Sequence, residues 1–405
     1  MAKLRIAVQG CCHGELNNIF KQVTELHKKN PIDLLVILGD FQSIRSGADF
    51  QSISIPPKYQ KLGDFQYYYN EQVEQQNMTP PPVPTLFIGG NHESMRHLML
   101  LPYGGYAAEN IYYLGYSNVI WFKGVRIGSL SGIWKHWDIN KERPAWENME
   151  KDHCWSRSVR ELYHVRKWDL IPLYMLSGNR QSNRIDIMLS HDWPNEIVYH
   201  GDYKDLIRVK PFFKRDIDNR ELGSPVNWEL LRNIKPTWWL SAHLHVRYKA
   251  FMKHTKRKLA PLEKKNTDEI DLDFSSEEEA EFVPEQTTTF LALDKCLPRR
   301  RHLEVIEVEA DTNHPSFTGD GANSMYWDPE LIANVQYMEQ HRKELQKIPF
   351  QGLDWAQLVS NSNQLNGKIT PIDWSHYRIP QYQAGVQRQE TQQTDYFKHQ
   401  FLSEH

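Results

Sequence analysis

The segment Leu34-Leu35-Val36-Ile37-Leu38-Gly39-Asp40 decides the fold. Five consecutive apolar residues before a glycine are typical of a short strand that is buried on both faces. Such strands form the parallel sheets of α/β proteins, in which ligands bind at the carboxyl ends of the strands. The sequence therefore predicts that Asp40 lies at the rim of a sheet, where a functional site is expected.

Four other apolar segments also lead directly into side chains that can bind a metal. Residues 4–8 are followed by Cys11-Cys12-His13, and residues 85–88 by Asn91-His92-Glu93. Residues 185–189 are followed by His191-Asp192, and residues 237–240 by His243-Leu244-His245. One histidine at a strand end is usually structural, but five such ends are hard to explain by packing alone. The candidate ligands are too many for one ion and suit two ions that share a carboxylate; they are Cys11, His13, Asp40, Asn91, His191, His243 and His245.

The overall composition indicates a globular protein that permits a polyanionic partner. The chain has 405 residues, enough for one large domain and a smaller unit. No apolar run has the length of a bilayer, and the N-terminus lacks a signal peptide pattern. Four cysteines, two of them adjacent, favour a reduced, intracellular protein. The net charge is −3, but residues 268–285 hold nine acids and no Lys or Arg, so the remainder carries +6.

The order of the remaining patterns predicts three regions. Residues 1–253 form the catalytic domain, beginning with strand, helix and strand, and an irregular Pro-containing insertion at 41–84 covers one side of the site. Segments 112–114, 119–122 and 125–130 are predicted as strands of a second sheet. A charged linker without regular structure is expected at 254–288. Residues 289–405 form a C-terminal domain in which Asp328-Pro329 opens a helix and the Gln-rich end beyond Pro380 is frayed.

Residues 131–166 interleave aromatic and basic side chains without a clear period. A connection of this length is usually functional or disordered, and its four tryptophans argue against disorder. Aromatic rings stack on bases while Arg and Lys contact phosphates, so one interpretation is an RNA-binding loop. The alternative is a capping subdomain with its own small core. The candidate RNA contacts are Trp134, Lys135, Trp137, Arg143, Arg157, Arg160, Tyr163 and Arg166.

Together these motifs resemble the signature of the calcineurin-like metallophosphoesterases. The matching segments are Gly39-Asp40, Gly90-Asn91-His92-Glu93, Ser190-His191 and Ala242-His243-Leu244-His245. That superfamily usually opens with Asp-x-His, whereas Cys11-Cys12-His13 stands here, and this departure resembles the RNA lariat debranching enzymes. Segments 41–45, 55–60, 190–194 and 290–299 are also similar to that family, and residues 131–166 fall where it has its lariat recognition loop. The resemblance implies an α/β fold in which two sheets form a sandwich flanked by helices, with a C-terminal extension packed on it.

The resemblance also implies how the candidate residues are used. Cys11, His13, Asp40 and His245 would form one metal pocket, and Asp40, Asn91, His191 and His243 the other. A thiolate is softer than a carboxylate, so one or two divalent ions of Fe²⁺, Zn²⁺ or Mn²⁺ are expected. Cys12 is interpreted as a packing residue. His92 would donate a proton to the leaving oxygen, with a purely structural role as the alternative.

The implied activity is hydrolysis of the 2′–5′ phosphodiester at the branch point of excised intron lariats by a metal-activated water, for intron turnover in mRNA processing. The expected partner is branched intron RNA, together with spliceosome-associated proteins, and neither DNA nor a membrane is expected. A monomer in the nucleus, and also in the cytoplasm, is predicted. Two alternatives stay open: a metallophosphoesterase for another diester, small nucleotides or phosphoproteins, and a metal-free scaffold with the same fold.

Overall fold

The computed structural model describes residues 2–176, 184–254, 286–318, 324–367, 371–386 and 389–402. The strands are β1 (Lys3–Gln9), β2 (Leu34–Ile37), β3 (Thr85–Phe87), β4 (Gly105–Ala108), β5 (Ile111–Tyr113), β6 (Ser117–Phe122), β7 (Val125–Leu130), β8 (Ile187–Ser190), β9 (Trp238–Ser241), β10 (Tyr248–His254), β11 (Gln286–Ala292), β12 (Leu303–Glu309) and β13 (Met325–Trp327). The helices are α1 (Leu16–Lys29), α2 (Phe65–Tyr69), α3 (Met95–Leu98), α4 (Trp146–Lys151), α5 (Trp155–Leu162), α6 (Lys167–Tyr174), α7 (Tyr203–Val209), α8 (Phe213–Asp218), α9 (Pro225–Ile234), α10 (Pro315–Thr318), α11 (Pro329–Gln340), α12 (Arg342–Gln346), α13 (Trp355–Asn366) and α14 (Gln389–Phe401).

Two mixed sheets pack face to face. Sheet one has the order β12-β1-β2-β3-β5-β4, and sheet two has the order β10-β11-β9-β8-β7-β6-β13. In sheet one, β1, β2, β3 and β5 are parallel, and in sheet two β7, β8, β9 and β11 are parallel. Parallel strands end at the same edge of a sheet, so the polar segments that follow β1, β2, β3, β8 and β9 are brought together.

The position of β2 between two apolar layers explains why segment 34–40 begins with an uninterrupted apolar run. Leu34 and Val36 face the core between the two sheets, where Ile187 and Leu240 of sheet two also lie. Leu35 and Ile37 point to the opposite face and pack against α1. All four strand residues are buried, as a strand covered on both faces requires.

Several elements form as their local sequence predicts. Helix α1 buries Leu16, Ile19, Phe20 and Val23 on one face, and it ends just before Pro31. Helix α11 begins at Pro329, and the Asp328 side chain caps it by accepting a hydrogen bond from Leu331 N. No helix in the described ranges combines the length and the apolar character that crossing a bilayer would need.

Three predictions about the elements were wrong. Segment 112–114 was assigned to the second sheet, but β5 pairs with β3 and belongs to sheet one because its register continues the parallel array. The end beyond Pro380 is not frayed at residues 389–401, because α14 buries Phe397 and Phe401 against the body. The expected linker 254–288 reaches too far at both ends, since His254 belongs to β10 and residues 286–288 begin β11; residues 255–285 lie outside the described residues.

The C-terminal residues are part of both sheets. Strand β12 pairs with β1 along seven residues at the edge of sheet one. Strand β11 lies inside sheet two, between β9 and β10. The body formed by the first 254 residues is therefore completed by strands that come after residue 285.

Candidate metal centre

The seven predicted ligands all lie at the edge where the parallel strands of the two sheets end. Sheet one brings Cys11 and His13 after β1, Asp40 after β2 and Asn91 after β3. Sheet two brings His191 after β8 and the pair His243 and His245 after β9. The site thus lies across the gap between the sheets.

Four side chains form a first pocket. The ligand atoms of Cys11, His13, Asp40 and His245 all lie within 4.8 Å of one another. The Nε2 atoms of His13 and His245 are 3.2 Å apart, and His13 Nε2 lies 3.7 Å from Asp40 Oδ2. A sulfur, two imidazole nitrogens and a carboxylate oxygen form a donor set that suits a borderline divalent ion such as Zn²⁺ or Fe²⁺.

A second group of donors converges on the other oxygen of the same carboxylate. His191 Nε2 lies 3.5 Å from Asp40 Oδ1 and 3.3 Å from Asn91 Oδ1. The ring centroids of His191 and His243 are 5.0 Å apart. Since Oδ2 of Asp40 faces His13 and Oδ1 faces His191, the carboxylate is placed to be shared by two pockets.

The electrostatic state of the site favours cation binding. Burial alone would raise the pKa of Asp40, but the imidazoles of His191, His13 and His92 hold it well below its usual range. Burial lowers the pKa of His191 to about 4, and burial together with His13 lowers that of His245 to about 3. The neutral imidazoles keep a lone pair for coordination.

Cys11 is a protonated thiol unless a cation is present. Burial and the Asp40 carboxylate raise its pKa well above the ordinary value. Thiolates are the form that binds metals, so binding of an ion is coupled to loss of this proton. Cys12, by contrast, is buried in the apolar cluster between sheet one and α1, as expected for a packing residue.

The backbone is strained at most of the ligands. His13, Asp40, His243 and His245 have φ values of 51°, 46°, 60° and 49°, in the left-handed region that non-glycine residues rarely adopt. Leu244 N donates to Ala242 O at 2.7 Å, which places His243 at the centre of a γ-turn. Conformations of this kind are retained where they position functional groups.

Two glycines allow the close approach of the ligand loops. A Cβ on Gly39, whose φ is +101°, would lie 2.2 Å from His191 Nδ1. A Cβ on Gly90 would lie 2.3 Å from Asp40 Oδ1. Only glycine therefore fits at these two positions. His191 Nδ1 also donates to Leu38 O at 2.7 Å, which fixes the ring with Nε2 toward the ligands.

His92 borders both pockets without being one of their ligands. Its backbone N–H donates to Asp40 Oδ1 at 2.9 Å, and its Nδ1 lies 3.0 Å from Ser54 O. The insertion at 41–84 therefore covers this side of the site, as predicted. Within the described residues Nε2 has no hydrogen-bond partner, so it is free to face a substrate.

Glu93 has a supporting role that sequence reasoning missed. Its buried carboxylate accepts hydrogen bonds from Phe41 N, Gln42 N and Gly90 N at 2.7, 2.8 and 2.9 Å. It thereby joins the loop that carries Asp40 to the loop that carries Asn91. Burial and the nearby Asp40 raise its pKa to about 8, against the effect of the three donors. In the sequence, the only indication of this role was a carboxylate two residues after Asn91.

Residues 131–166 are folded and contain helices α4 and α5. Met149, Trp155, Leu162 and Tyr163 form a small core with Met95 of α3. Much of the capping-subdomain interpretation is therefore correct. The segment is attached to the site because Trp134 N donates to Asp192 Oδ2 at 3.3 Å, next to His191.

Three of the eight candidate RNA contacts are structural. Arg143 forms a two-pronged ion pair with Asp169, at 2.7 and 2.8 Å, and lies 3.8 Å from the Tyr116 ring centroid. Arg166 is 1% exposed and donates to the carbonyls of Asp138 and Glu161. Tyr163 is buried in the small core. Their side chains are used inside the protein, so their assignment to RNA contact was wrong.

The other five candidates remain accessible. Arg157 and Arg160 are exposed on α5, Trp134 and Lys135 are half-buried, and Trp137 is 57% exposed. Trp134, Lys135 and Trp137 line a groove of about 630 Å³ that continues to Asp192 and His243. A larger groove of about 880 Å³, between α3, residues 143–147 and α14, is lined by none of the seven ligands.

Comparison with known proteins agrees with this geometry. Residues 4–247 match the family model of the calcineurin-like phosphoesterases, and residues 285–395 match that of the lariat debranching enzyme C-terminal domain. The chain is therefore a calcineurin-like phosphoesterase, a class of hydrolases whose fold implies divalent metal ions at this site.

Individual relatives narrow the family further. The chain is 56% identical to the lariat debranching enzyme of Saccharomyces cerevisiae over the full length of both. It is 42% identical to the enzyme of Homo sapiens, over 78% of this chain and 51% of the human one, and 36% identical to that of Schizosaccharomyces pombe, over 83% and 78%. The chain belongs to the lariat debranching enzyme family. It spans about half the length of the human relative.

Proposed function

We propose that this protein hydrolyses the 2′–5′ phosphodiester at the branch point of intron lariat RNA. The observation that carries the proposal is the placement of Asp40, whose two oxygens face two separate groups of donors, 3.7 Å from His13 and 3.5 Å from His191. Membership of the lariat debranching family supports the choice of substrate. The product is a linear intron RNA ready for turnover.

The branch-point bond requires an external nucleophile. Ordinary RNA cleaves itself when a neighbouring hydroxyl attacks phosphorus, but at a branch the adjacent 3′-oxygen is itself esterified. Divalent ions bound by the seven candidate ligands would supply an activated water and would balance the charge of the reacting phosphate. Strained loops and the Glu93 hydrogen bonds hold these ligands in place before substrate binds.

His92 is the proposed proton donor to the departing 2′-oxygen. Nδ1–H donates to Ser54 O, and this orients the ring so that Nε2 carries the transferred proton. The same histidine is tied to Asp40 through its backbone N–H. The acid is thus held at a fixed position relative to the pocket ligands.

The first pocket should hold Zn²⁺ or Fe²⁺, with Mn²⁺ as a weaker substitute. The sulfur of Cys11 stands where the superfamily usually has a carboxylate, and soft donors favour these ions over Mg²⁺. The nearby backbone N–H of His243 lowers the pKa of Cys11, against the larger effects of burial and Asp40. The ligand set of the second pocket contains no sulfur, so it should discriminate less between divalent metal ions.

Selection of branched RNA is assigned to the groove next to His243. Metal ligands contact only a phosphate, so recognition of the branch requires other groups. Trp134, Lys135 and Trp137 offer two aromatic rings and a cation at the groove wall. A base stacked there would be held beside the reacting phosphate.

Location and partners follow from the proposed substrate. Excised introns are produced in the nucleus, so we expect the protein there, with a cytoplasmic fraction, in contact with spliceosome-associated proteins. One chain supplies all seven ligands, so a monomer would be sufficient for activity. The scaffold alternative is not favoured, because every ligand position carries a competent donor.

The direct test is incubation of the purified protein with a synthetic 2′–5′-branched RNA, with and without chelator. We expect linear products only in the absence of chelator, and recovery when Zn²⁺, Fe²⁺ or Mn²⁺ is added back. A linear 3′–5′ RNA of the same composition is the control. Cleavage of small nucleotides or a phosphoprotein, with branched RNA left intact, would support the second alternative and refute the proposal.

A further inference from the structure

A basic loop, residues 294–301, lies next to the Cys11 segment of the metal centre and does not line the groove. It connects β11 of sheet two to β12 of sheet one, so it crosses the gap between the sheets. Cys296 N donates to Cys11 O at 3.0 Å, and Gly10 N donates to His302 O at 2.9 Å. The loop is therefore attached directly to the segment that carries the first pocket.

The loop concentrates positive charge at this position. Four of its residues are cations, and Arg299, Arg300 and Arg301 are all exposed. Lys295 lies near enough to His13 and His245 for its charge to act on both side chains. Lys210, from the turn after α7, lies close to Asp294, Arg300 and Lys295 and adds a cation from a different element.

The acids in this region do not neutralise the surface. Asp294 pairs with Arg300 at 3.3 Å, and Glu304 is shared by Arg247 at 2.8 Å and Arg301 at 3.5 Å. In the part of the chain that the structure describes, no carboxylate lies within ion-pair distance of Lys210, Lys295 or Arg299. Unpaired cations next to a phosphate-cleaving site favour further phosphates as ligands.

We propose that the basic loop and Lys210 bind the phosphates of an RNA arm that leaves the branch point on the Cys11 side. This inference rests on the proposed function. Three strands diverge from a branch nucleotide, so a groove near His243 can hold only part of the substrate. The cations contact phosphates without reading bases, so they set the path of the arm and not its sequence.

The test uses Arg299→Gln/Arg301→Gln, which removes two exposed charges. The control is Lys28→Gln/Arg232→Gln, which removes the same charge from exposed positions near the C-terminal ends of α1 and α9. KM and kcat are measured over a series of salt concentrations, with a branched RNA that has long arms and with a branched trinucleotide that lacks them.

For the long-armed RNA we expect a several-fold higher KM with unchanged kcat. The slope of log KM against log salt should flatten by roughly 0.7 for each lost phosphate contact. The control and the trinucleotide should show neither effect. A salt slope for the Arg299/Arg301 variant equal to that of the unchanged protein would overturn the inference. Failure of the unchanged protein to cleave either RNA would instead refute the proposed function, and this inference with it.

Discussion

Asp40 is the residue that the two candidate metal pockets share. It follows a strand with no polar position, has a φ of 46° and is 1% exposed. A carboxylate in this environment is stable because imidazoles surround it, and it keeps its charge available for cations. Among the other residues of the site, the candidate ligand Cys11 and the candidate proton donor His92 are the most informative to replace.

Replacing Cys11 by aspartate should change which metal the protein prefers. The Cys11→Asp variant exchanges a soft donor for a hard one, so binding of Zn²⁺ and Fe²⁺ should weaken while Mn²⁺ becomes the better activator. Metal analysis combined with reconstitution of the metal-free protein checks both effects. Cys12→Ala is the matched control and should leave metal preference unchanged. Equal metal content and activity in wild type and Cys11→Asp would show that Cys11 is not a ligand.

Replacing His92 by alanine should stop turnover but not binding. Loss of a general acid typically lowers kcat by about 10²- to 10⁴-fold. Because the seven ligands are retained, the Kd for branched RNA should stay within a factor of a few. Both quantities are measured on the same preparation. If affinity fell in parallel with kcat, His92 would be a positioning or structural residue.

The sequence predicted which side chains converge as candidate ligands, but it did not predict the hydrogen bonds that hold them in place. Apolar runs ending in Asp, Asn, His or Cys are visible locally, because a buried strand must end where the sheet meets solvent. The hydrogen bonds of Glu93 with Phe41 and Gln42 join residues that are 52 and 51 positions apart, respectively, which no local pattern records. The left-handed φ values likewise depend on loops meeting across the two sheets.

At the scale of elements, residues 131–166 combine two functions that the sequence could not separate. Trp155 and Leu162 form a core, whereas Trp137 projects into solvent. Aromatic and basic residues serve both purposes, so composition alone left Arg143 and Arg166 among the RNA contacts. Burial, known only from the packed structure, distinguishes them.

Trp137→Ala tests recognition by the exposed edge of this segment. Stacking of one base is worth about 1–3 kcal/mol, so the preference for branched over linear diesters should fall by roughly 5-fold to 150-fold. Phe251→Ala is the matched control, because Phe251 is an exposed aromatic residue of β10, 56% accessible, that does not line the groove. The ratio of kcat/KM for the two RNAs is the measurement. An unchanged preference would indicate that the insertion at 41–84, and not this segment, recognises the branch.

Helix α14 is fixed by a buried ion pair. Glu390 Oε1 lies 3.2 Å from His97 Nε2 of α3 and 3.6 Å from Arg45 Nη1, which belongs to the loop after Asp40. The Gln-rich sequence of this helix gave no sign of packing, because its buried positions are few and partly polar. The prediction of a frayed end failed for that reason.

Glu390→Gln should destabilise the protein in a pH-dependent manner. Burial alone would raise the pKa of Glu390, but His97 and Arg45 lower it to about 2. The carboxylate therefore stabilises the fold fully above its ordinary pKa near 4.5 and loses this effect as pH falls toward 2. At pH 7 the loss should be about 1–3 kcal/mol.

Thermal melting of wild type and Glu390→Gln across this pH range is the measurement. The difference in Tm should be constant at neutral pH and shrink below about pH 4.5. Glu307→Gln, which removes an exposed partner of Lys3 and Arg5, is the control and should stay within about 0.5 kcal/mol of wild type. A Tm difference that is absent at pH 7 would mean that Glu390 does not hold α14.

At the scale of the whole molecule, the metal centre is assembled from segments that are far apart in sequence. Cys11 and His245 share a pocket, and the basic loop that adjoins them comes after residue 293. Strands β11, β12 and β13 complete both sheets, so the C-terminal residues stabilise the surroundings of the site as well as extending them. The family resemblance implied a C-terminal extension packed on the sandwich, but not that β11 is placed inside sheet two.

The central claim is that these distant strand ends together hold divalent ions around Asp40. Anomalous diffraction from crystals of the zinc-loaded protein tests it most directly. We predict an ion bonded to an Asp40 oxygen at about 2.0–2.2 Å, with Cys11 sulfur at about 2.3 Å or with His191 and Asn91 as its neighbours. Zinc that lies elsewhere, with no anomalous density between Asp40 and the imidazoles of His13, His191 and His243, would contradict the account.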